Sequence, residues 1–132
     1  MDKFTTITVE QHDAIEILSL NRPDALNAVT PVMADELIAY FSGLHDRLAT
    51  RIVIFRGNGR VFCAGAELGS DAFAAPGAGR PQRQLEMQQR YSRIIRLMRS
   101  CPQPIVALVQ GAACGAGFSL LLASDVRFAT PA

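Results

Sequence analysis

The stretch Pro104-Ile-Val-Ala-Leu-Val-Gln-Gly-Ala-Ala-Cys-Gly-Ala-Gly-Phe-Ser-Leu-Leu-Leu-Ala-Ser-Asp125 decides the fold. It carries no charge from Ile105 to Ser124, and Gly111, Gly115 and Gly117 separate two apolar runs. A membrane span is one reading: an uncharged run of about 20 residues is the length a bilayer core requires. Three clustered glycines, the central Gln110 and the lack of flanking aromatic residues oppose it. A second reading is a nucleotide-binding turn, a buried strand at Ile105–Val109 running into glycines and a helix at Phe118–Ala123. Such a fingerprint opens a domain and has an acidic partner about 20 positions on, whereas this turn is near the C-terminal end. The third is an anion hole made of backbone. Glycines let main chain approach a ligand, and a helix N-terminus offers unpaired N–H groups and a positive dipole end.

The rest of the chain decides among them. Its 132 residues fit a single domain. Apolar residues at 49% against charged residues at 19% provide for a core and exclude a disordered chain. A net charge of +1 gives no basis for nucleic-acid or anionic-membrane binding. No charged leader with an apolar segment indicates export, so a cytoplasmic location is expected. Cys63, Cys101 and Cys114 form no disulfide framework and read as reduced, mostly buried thiols. His12 and His45 have no second ligand at metal spacing, so no metal is expected.

Ala14–Leu20 alternates like a strand and stops at Asn21-Arg-Pro-Asp24. Thr30-Pro31 starts a helix. Met33, Leu37, Phe41, Leu44 and Leu48 recur on its inner face, which predicts a helix over Thr30–Ala49. Arg51–Arg56 reads as a short buried strand. Val61–Leu68 is a tight apolar loop with one carboxylate. Residues 69–83 are rich in Gly, Ala and Pro without periodicity and read as a mobile surface loop. A second amphipathic helix is expected over Gln84–Arg99, with Met87, Tyr91, Ile94, Ile95 and Met98 facing inward. Arg90, Arg93, Arg96 and Arg99 fan around it as a solvated face. Val126–Ala129 begins another strand. Strands alternating with long helices imply an α/β fold with parallel pairing, in which the uncharged stretch is two core elements.

Two glycine-flanked turns after parallel strands therefore face each other: Phe62-Cys-Ala-Gly-Ala-Glu-Leu68 and Gly111-Ala-Ala-Cys-Gly-Ala-Gly117. Two backbone donors converging about 3 Å from one oxygen make an oxyanion hole. With Leu20-Asn-Arg-Pro-Asp-Ala-Leu-Asn-Ala28, Val61–Leu68 and the block from Pro102 through Ser124-Asp-Val-Arg127 in order, the chain resembles the enoyl-CoA hydratase/isomerase (crotonase) family. The resemblance implies a spiral of ββα turns, truncated at its C-terminal side, with residues 1–132 as the N-terminal part of one domain. It implies an acyl-CoA thioester as substrate, no separate cofactor, and trimers or hexamers when full length. It places the thioester oxygen between the N–H groups of Ala66 and Ala116. Ala25, Leu26, Ala28 and Ala64 are implied to hold the adenine and pantetheine parts. Glu67 and Leu68 would line the channel near the thioester, with Gly115 also in the substrate-binding set. Hydratases of this family carry a glutamate where this chain has Ser119, and often a lysine where it has Gly69. Ser119 is a poor general base. Isomerisation, dehalogenation or thioester hydrolysis is therefore expected over hydration by two glutamates. The alternative is a non-catalytic acyl-CoA-binding or interaction module.

Overall fold

The computed structural model describes residues 3–67 and 79–131. Five strands form one sheet in the order β1 (Ile7–His12), β2 (Ile15–Leu20), β3 (Ile52–Gly57), β4 (Ile105–Val109) and β5 (Val126–Ala129). β1 and β2 form an antiparallel hairpin, and every later pairing is parallel. The order never reverses, so the sheet has no topological switch point of the kind dinucleotide folds use. Among the described residues three α-helices connect the parallel strands: α1 (Pro31–Gly43), α2 (Arg80–Ser100) and α3 (Ala116–Ala123). The uncharged stretch accordingly divides into β4, a turn and α3. No helix among the described residues is long and apolar enough to cross a membrane.

Local chemistry sets the element ends. The Thr30 hydroxyl accepts from the Met33 N–H at 3.1 Å and Pro31 opens α1, which satisfies one orphan donor with a residue suited to the first turn. The helix stops at Gly43, six residues before the sequence-based end at Ala49. Gln103 braces the turns beyond it: its side-chain amide donates to the Leu44 and Arg47 carbonyls at 2.8 and 3.0 Å. Tight turns carry the chain on to β3, and Leu48 is left 67% exposed instead of buried. The second helix starts at Arg80, so residues 80–83 are helical rather than loop. Gly79 precedes it at φ 100°, and its carbonyl accepts the Arg83 N–H. The remaining loop positions, 69–78, lie outside the described residues. The third helix begins at Ala116, two residues earlier than its apolar run indicates. The hairpin strand β1 is an addition to the sequence reading.

One continuous core joins Leu18, Leu20, Val53, Phe55, Ile105 and Ala107 of the sheet to Met33, Leu37, Phe41, Met87, Ile94 and Met98 of the helices, with Leu44 just past the end of α1. Alternate residues of β3 and β4 are less covered, with Ile52 and Leu108 each 38% exposed. β3 and β4 are thus buried on one face, not on both, and all four residues of β5 are exposed, among the described residues. Phe62 stands edge-on to Phe55, ring centroids 5.4 Å apart. That contact anchors the loop after β3 to the core. In α2, Arg93, Arg96 and Arg99 are exposed, while Arg90 reaches Asp35 at 2.9 Å.

Candidate active site

Three segments converge beyond the strand ends. The first, residues 22–28, is closed upon itself. Asn27 is fully buried: its side-chain oxygen accepts the Arg22 N–H, and its amide donates to the Asn58, Val61 and Phe62 carbonyls. Leu26 and Asn27 both adopt left-handed conformations, φ 54° and 55°, which non-glycine residues seldom do. This turns the Leu26 carbonyl onto the Ala64 N–H at 3.0 Å. The Arg22 guanidinium donates to the Ala28 carbonyl and to the Glu67 carboxylate, the latter at 3.0 Å.

The second segment, residues 62–67, is held on both sides. Val29 bridges Ala66 in parallel, donating to the Gly65 carbonyl and accepting from the Glu67 N–H. In such a bridge Val29 engages the two neighbours of Ala66, so the N–H of Ala66 itself points away from it. On the other side Cys63 bridges Ala113, with the Cys63 N–H donating to Ala112 and the Cys114 N–H donating to Cys63. Gly65 sits at φ 105°. A methyl group on it would stand 2.8 Å from the Cys114 carbonyl oxygen and 3.7 Å from the Ala116 nitrogen. Only glycine allows this close approach, and it brings the second segment against the third.

The third segment is the turn Gly111–Gly115 running into α3. Ala116 is the first residue of that helix, so its N–H has no intrahelical acceptor. No partner among the described residues takes the N–H of Ala66 or of Ala116. Both residues line one open cleft of about 580 Å³, together with Ala64, Gly65, Gln88, Tyr91, Gly115 and Ser119. Two residues with unpartnered N–H groups, on separate turns, thus line the same space, one of them at the positive end of a helix dipole.

The cleft wall offers no base at neutral pH among these residues. Burial raises the Tyr91 hydroxyl above its usual acidity range, and the nearby Cys63 adds to this. Burial also pushes the Cys63 thiol up to about 11. The Ser119 hydroxyl lies 3.4 Å from the Gly115 carbonyl one turn back and is exposed. No carboxylate is among the lining residues.

Of the residues singled out in the sequence, Ala64, Ala66, Gly115 and Ala116 come together here. Ala25, Leu26 and Ala28 form the adjoining turn, tied to the site through Ala64 and Val29. The Glu67 carboxylate is turned to Arg22 and is not part of the cleft wall. Leu68 lies outside the described residues. Gln88 and Tyr91 are the additions. They are three apart on α2 and so share a helix face, but nothing in their spacing says what that face meets.

Residues 10–131 match the family profile of enoyl-CoA hydratase/isomerase. A probable enoyl-CoA hydratase of Rhodobacter capsulatus is 36% identical over 127 residues, which are 96% of this chain and 46% of that protein. An enoyl-CoA hydratase/isomerase from Mycobacterium paratuberculosis superposes with a TM-score of 0.86 at 31% identity, over 98% of this chain and 51% of that one. The small ribosomal subunit protein mS47 of Schizosaccharomyces pombe is 28% identical over 94% of this chain and 29% of its own length. The chain spans about half the length of most of the relatives it matches. With a matched profile over nearly all its residues and the same backbone course, the chain belongs to the enoyl-CoA hydratase/isomerase (crotonase) family.

Proposed function

We propose that the protein processes acyl-CoA thioesters by holding the thioester oxygen between the N–H groups of Ala66 and Ala116. The observation that carries this reading is the pair of unpartnered backbone donors bordering one cleft. Withdrawing a proton beside a thioester moves negative charge onto its oxygen. Fixed donors aimed at that oxygen stabilise the enolate-like state more than the ground state, each contributing about 2.7–4 kcal/mol in comparable sites. The turn with Ala25, Leu26 and Ala28, linked by hydrogen bond to Ala64, supplies backbone next to the cleft for the nucleotide and pantetheine arm. No carboxylate lines the cleft among the described residues, so hydration by two glutamates is not the preferred chemistry.

A second reading is a binding module without turnover. The Ser119 hydroxyl in place of a carboxylate favours it, as does the likeness to a ribosomal subunit protein. One experiment separates them. The protein is incubated in deuterated water with saturated, 2-enoyl and 3-enoyl acyl-CoAs, and the thioesters are analysed by mass spectrometry. Enolate chemistry gives a product or deuterium beside the thioester carbonyl. Tight thioester binding with neither change removes the enzyme reading.

A further inference from the structure

The cleft wall carries no carboxylate, yet one begins a single residue from its donors. Glu67 follows Ala66 directly, and consecutive Cα atoms stand about 3.8 Å apart. Its side chain is held elsewhere, with Arg22 Nη2 donating to Oε1 at 3.0 Å. Arg22 is tethered in turn: its Nη1 donates to the Ala28 carbonyl at 2.6 Å, in the turn assigned above to the nucleotide and pantetheine arm. Other carboxylates are committed away from the cleft. Asp35 and Glu86 open onto a separate groove between α1 and α2, and Glu16 is fully buried under Arg47 and Thr50.

The hold on Glu67 is weak. The two side chains are 23% and 33% exposed, and an ion pair that open to water contributes little to keeping its partners together. Arg22 spends two of the five N–H groups of a guanidinium on Ala28 and Glu67. A phosphate takes two such groups at once, whereas Glu67 takes one. The backbone of the loop is held independently, by the two hydrogen bonds of Val29 to Gly65 and Glu67. The Glu67 side chain can therefore leave Arg22 while the Ala66 N–H keeps its place.

We propose that Glu67 is the base of the enolate step, and that Arg22 parks it until the phosphates of a bound thioester draw on the guanidinium. The released carboxylate turns to the cleft and takes a proton from the carbon beside the thioester carbonyl. The C–H electron pair becomes the carbon–carbon double bond of the enolate. The negative charge passes to the oxygen held by Ala66 and Ala116. Return of a proton from Glu67 to that carbon restores both thioester and carboxylate. In deuterated water the carboxyl proton exchanges first, so the carbon gains deuterium. The proposal rests on the thioester reading above and adds to it a base and a positioning residue.

The test follows deuterium uptake beside the carbonyl by mass spectrometry. Its probes are butyryl-CoA and the butyryl thioester of N-acetylcysteamine, which carries no phosphate. At equal saturation the unaltered protein is expected to label butyryl-CoA about two- to fivefold faster, the worth of so exposed an ion pair. Glu67→Gln is expected to lower labelling of butyryl-CoA by at least about 100-fold with binding retained. Arg22→Gln frees the carboxylate, so labelling of the short thioester is expected to rise about two- to fivefold. A merely structural role for Arg22 lowers it instead. Should Arg22→Gln not fold, the nucleotide of CoA, adenosine 3′-phosphate 5′-diphosphate, is added with the short thioester to the unaltered protein and is expected to give the same rise. A folded Glu67→Gln protein that labels butyryl-CoA at the unaltered rate overturns the base. No rise with Arg22→Gln, or with the added nucleotide in its place, overturns the parking. Bound butyryl-CoA left unlabelled by the unaltered protein is a failure of the enolate reading itself and takes this proposal with it.

Discussion

Gly117→Ala is the substitution whose consequences can be followed furthest from the geometry. A methyl group at Gly117 would stand 2.5 Å from the Cys63 carbonyl oxygen, 2.7 Å from Cys63 Cβ and 2.9 Å from its sulfur. Ordinary contact begins near 3.4 Å, so α3 and the Cys63 loop must separate by about 0.9 Å. The carbonyl cannot swing aside freely, because it already accepts the Cys114 N–H at 3.0 Å. Overpacking of this kind costs about 1–3 kcal/mol, and replacing glycine by alanine within a helix returns up to about 1 kcal/mol. A net loss of about 1–2 kcal/mol is expected from urea unfolding. The effect on the site is larger. Ala66 and Ala116 stand on the two bodies being forced apart, and a catalytic constellation tolerates displacements of about 0.5 Å. Misplacement by about 1 Å lowers turnover by about 100-fold. Thioester turnover, or thioester binding relative to free CoA, is the assay. Cys63→Ala removes the sulfur but leaves the 2.5 and 2.7 Å contacts, so it is not expected to rescue Gly117→Ala. A Gly117→Ala protein with unchanged stability and unchanged thioester binding would refute the reasoning. Rescue by Cys63→Ala would place the clash on the wrong atoms.

Three further predictions concern the frame of the site. Asn27→Ala strips hydrogen bonds from three carbonyls and from the Arg22 N–H. A loss of about 3 kcal/mol is expected from urea midpoints, and a loss below about 1 kcal/mol would contradict the role given to this side chain. Burial raises the Glu36 carboxyl, but hydrogen bonds from the N–H and hydroxyl groups of Thr5 and Thr6 outweigh it and hold the group below its ordinary 4.5. Its contribution is therefore full above pH 4.5 and fades as the pH falls through the lower folded-state value. Stability measured through the carboxylate range should lose that component in Glu36→Gln, and an identical profile would rule it out. Cys63 is buried with its thiol pushed up to about 11, whereas Cys114 is exposed. A thiol reagent should modify Cys114 in the native protein and Cys63 only after unfolding. Equal native rates would show that the loop opens far more than its two bridges allow.

Much of this arrangement can be read in the chain because its signals are local. β4 and β5 match the strands read over Ile105–Val109 and Val126–Ala129 residue for residue, and the paired glycine turns stand where the blocks around Gly65 and Gly115 place them. What escapes is set by distant partners. The turns that follow α1 are braced by Gln103, about 60 positions away, whose amide donates to the Leu44 and Arg47 carbonyls. The orientation of Glu67 depends on Arg22, 45 residues earlier. β1 is an edge strand whose alternation lasts only from Ile7 to Glu10, with Ile7 alone buried and Glu10 to His12 exposed. Its hairpin turns on Asp13 at φ 53°, with no glycine to mark it. Tyr91 is legible as an inward residue of α2, but not as a wall of the cleft. That follows from the way α2 and α3 meet.

Whether two backbone N–H groups polarise the thioester is asked by Ala116→Pro. Proline is accepted at the first helical position and removes the donor. Gly115 before it, at φ 53° and ψ −121°, is outside the helical region that proline disfavours in its predecessor. The measurement is the carbonyl stretch of carbonyl-labelled butyryl-CoA bound to each protein, read by isotope-edited infrared spectroscopy. The band is expected below its solution frequency in the unaltered protein and returned most of the way in Ala116→Pro. A folded Ala116→Pro protein that binds the thioester and shows the same lowered band would contradict it.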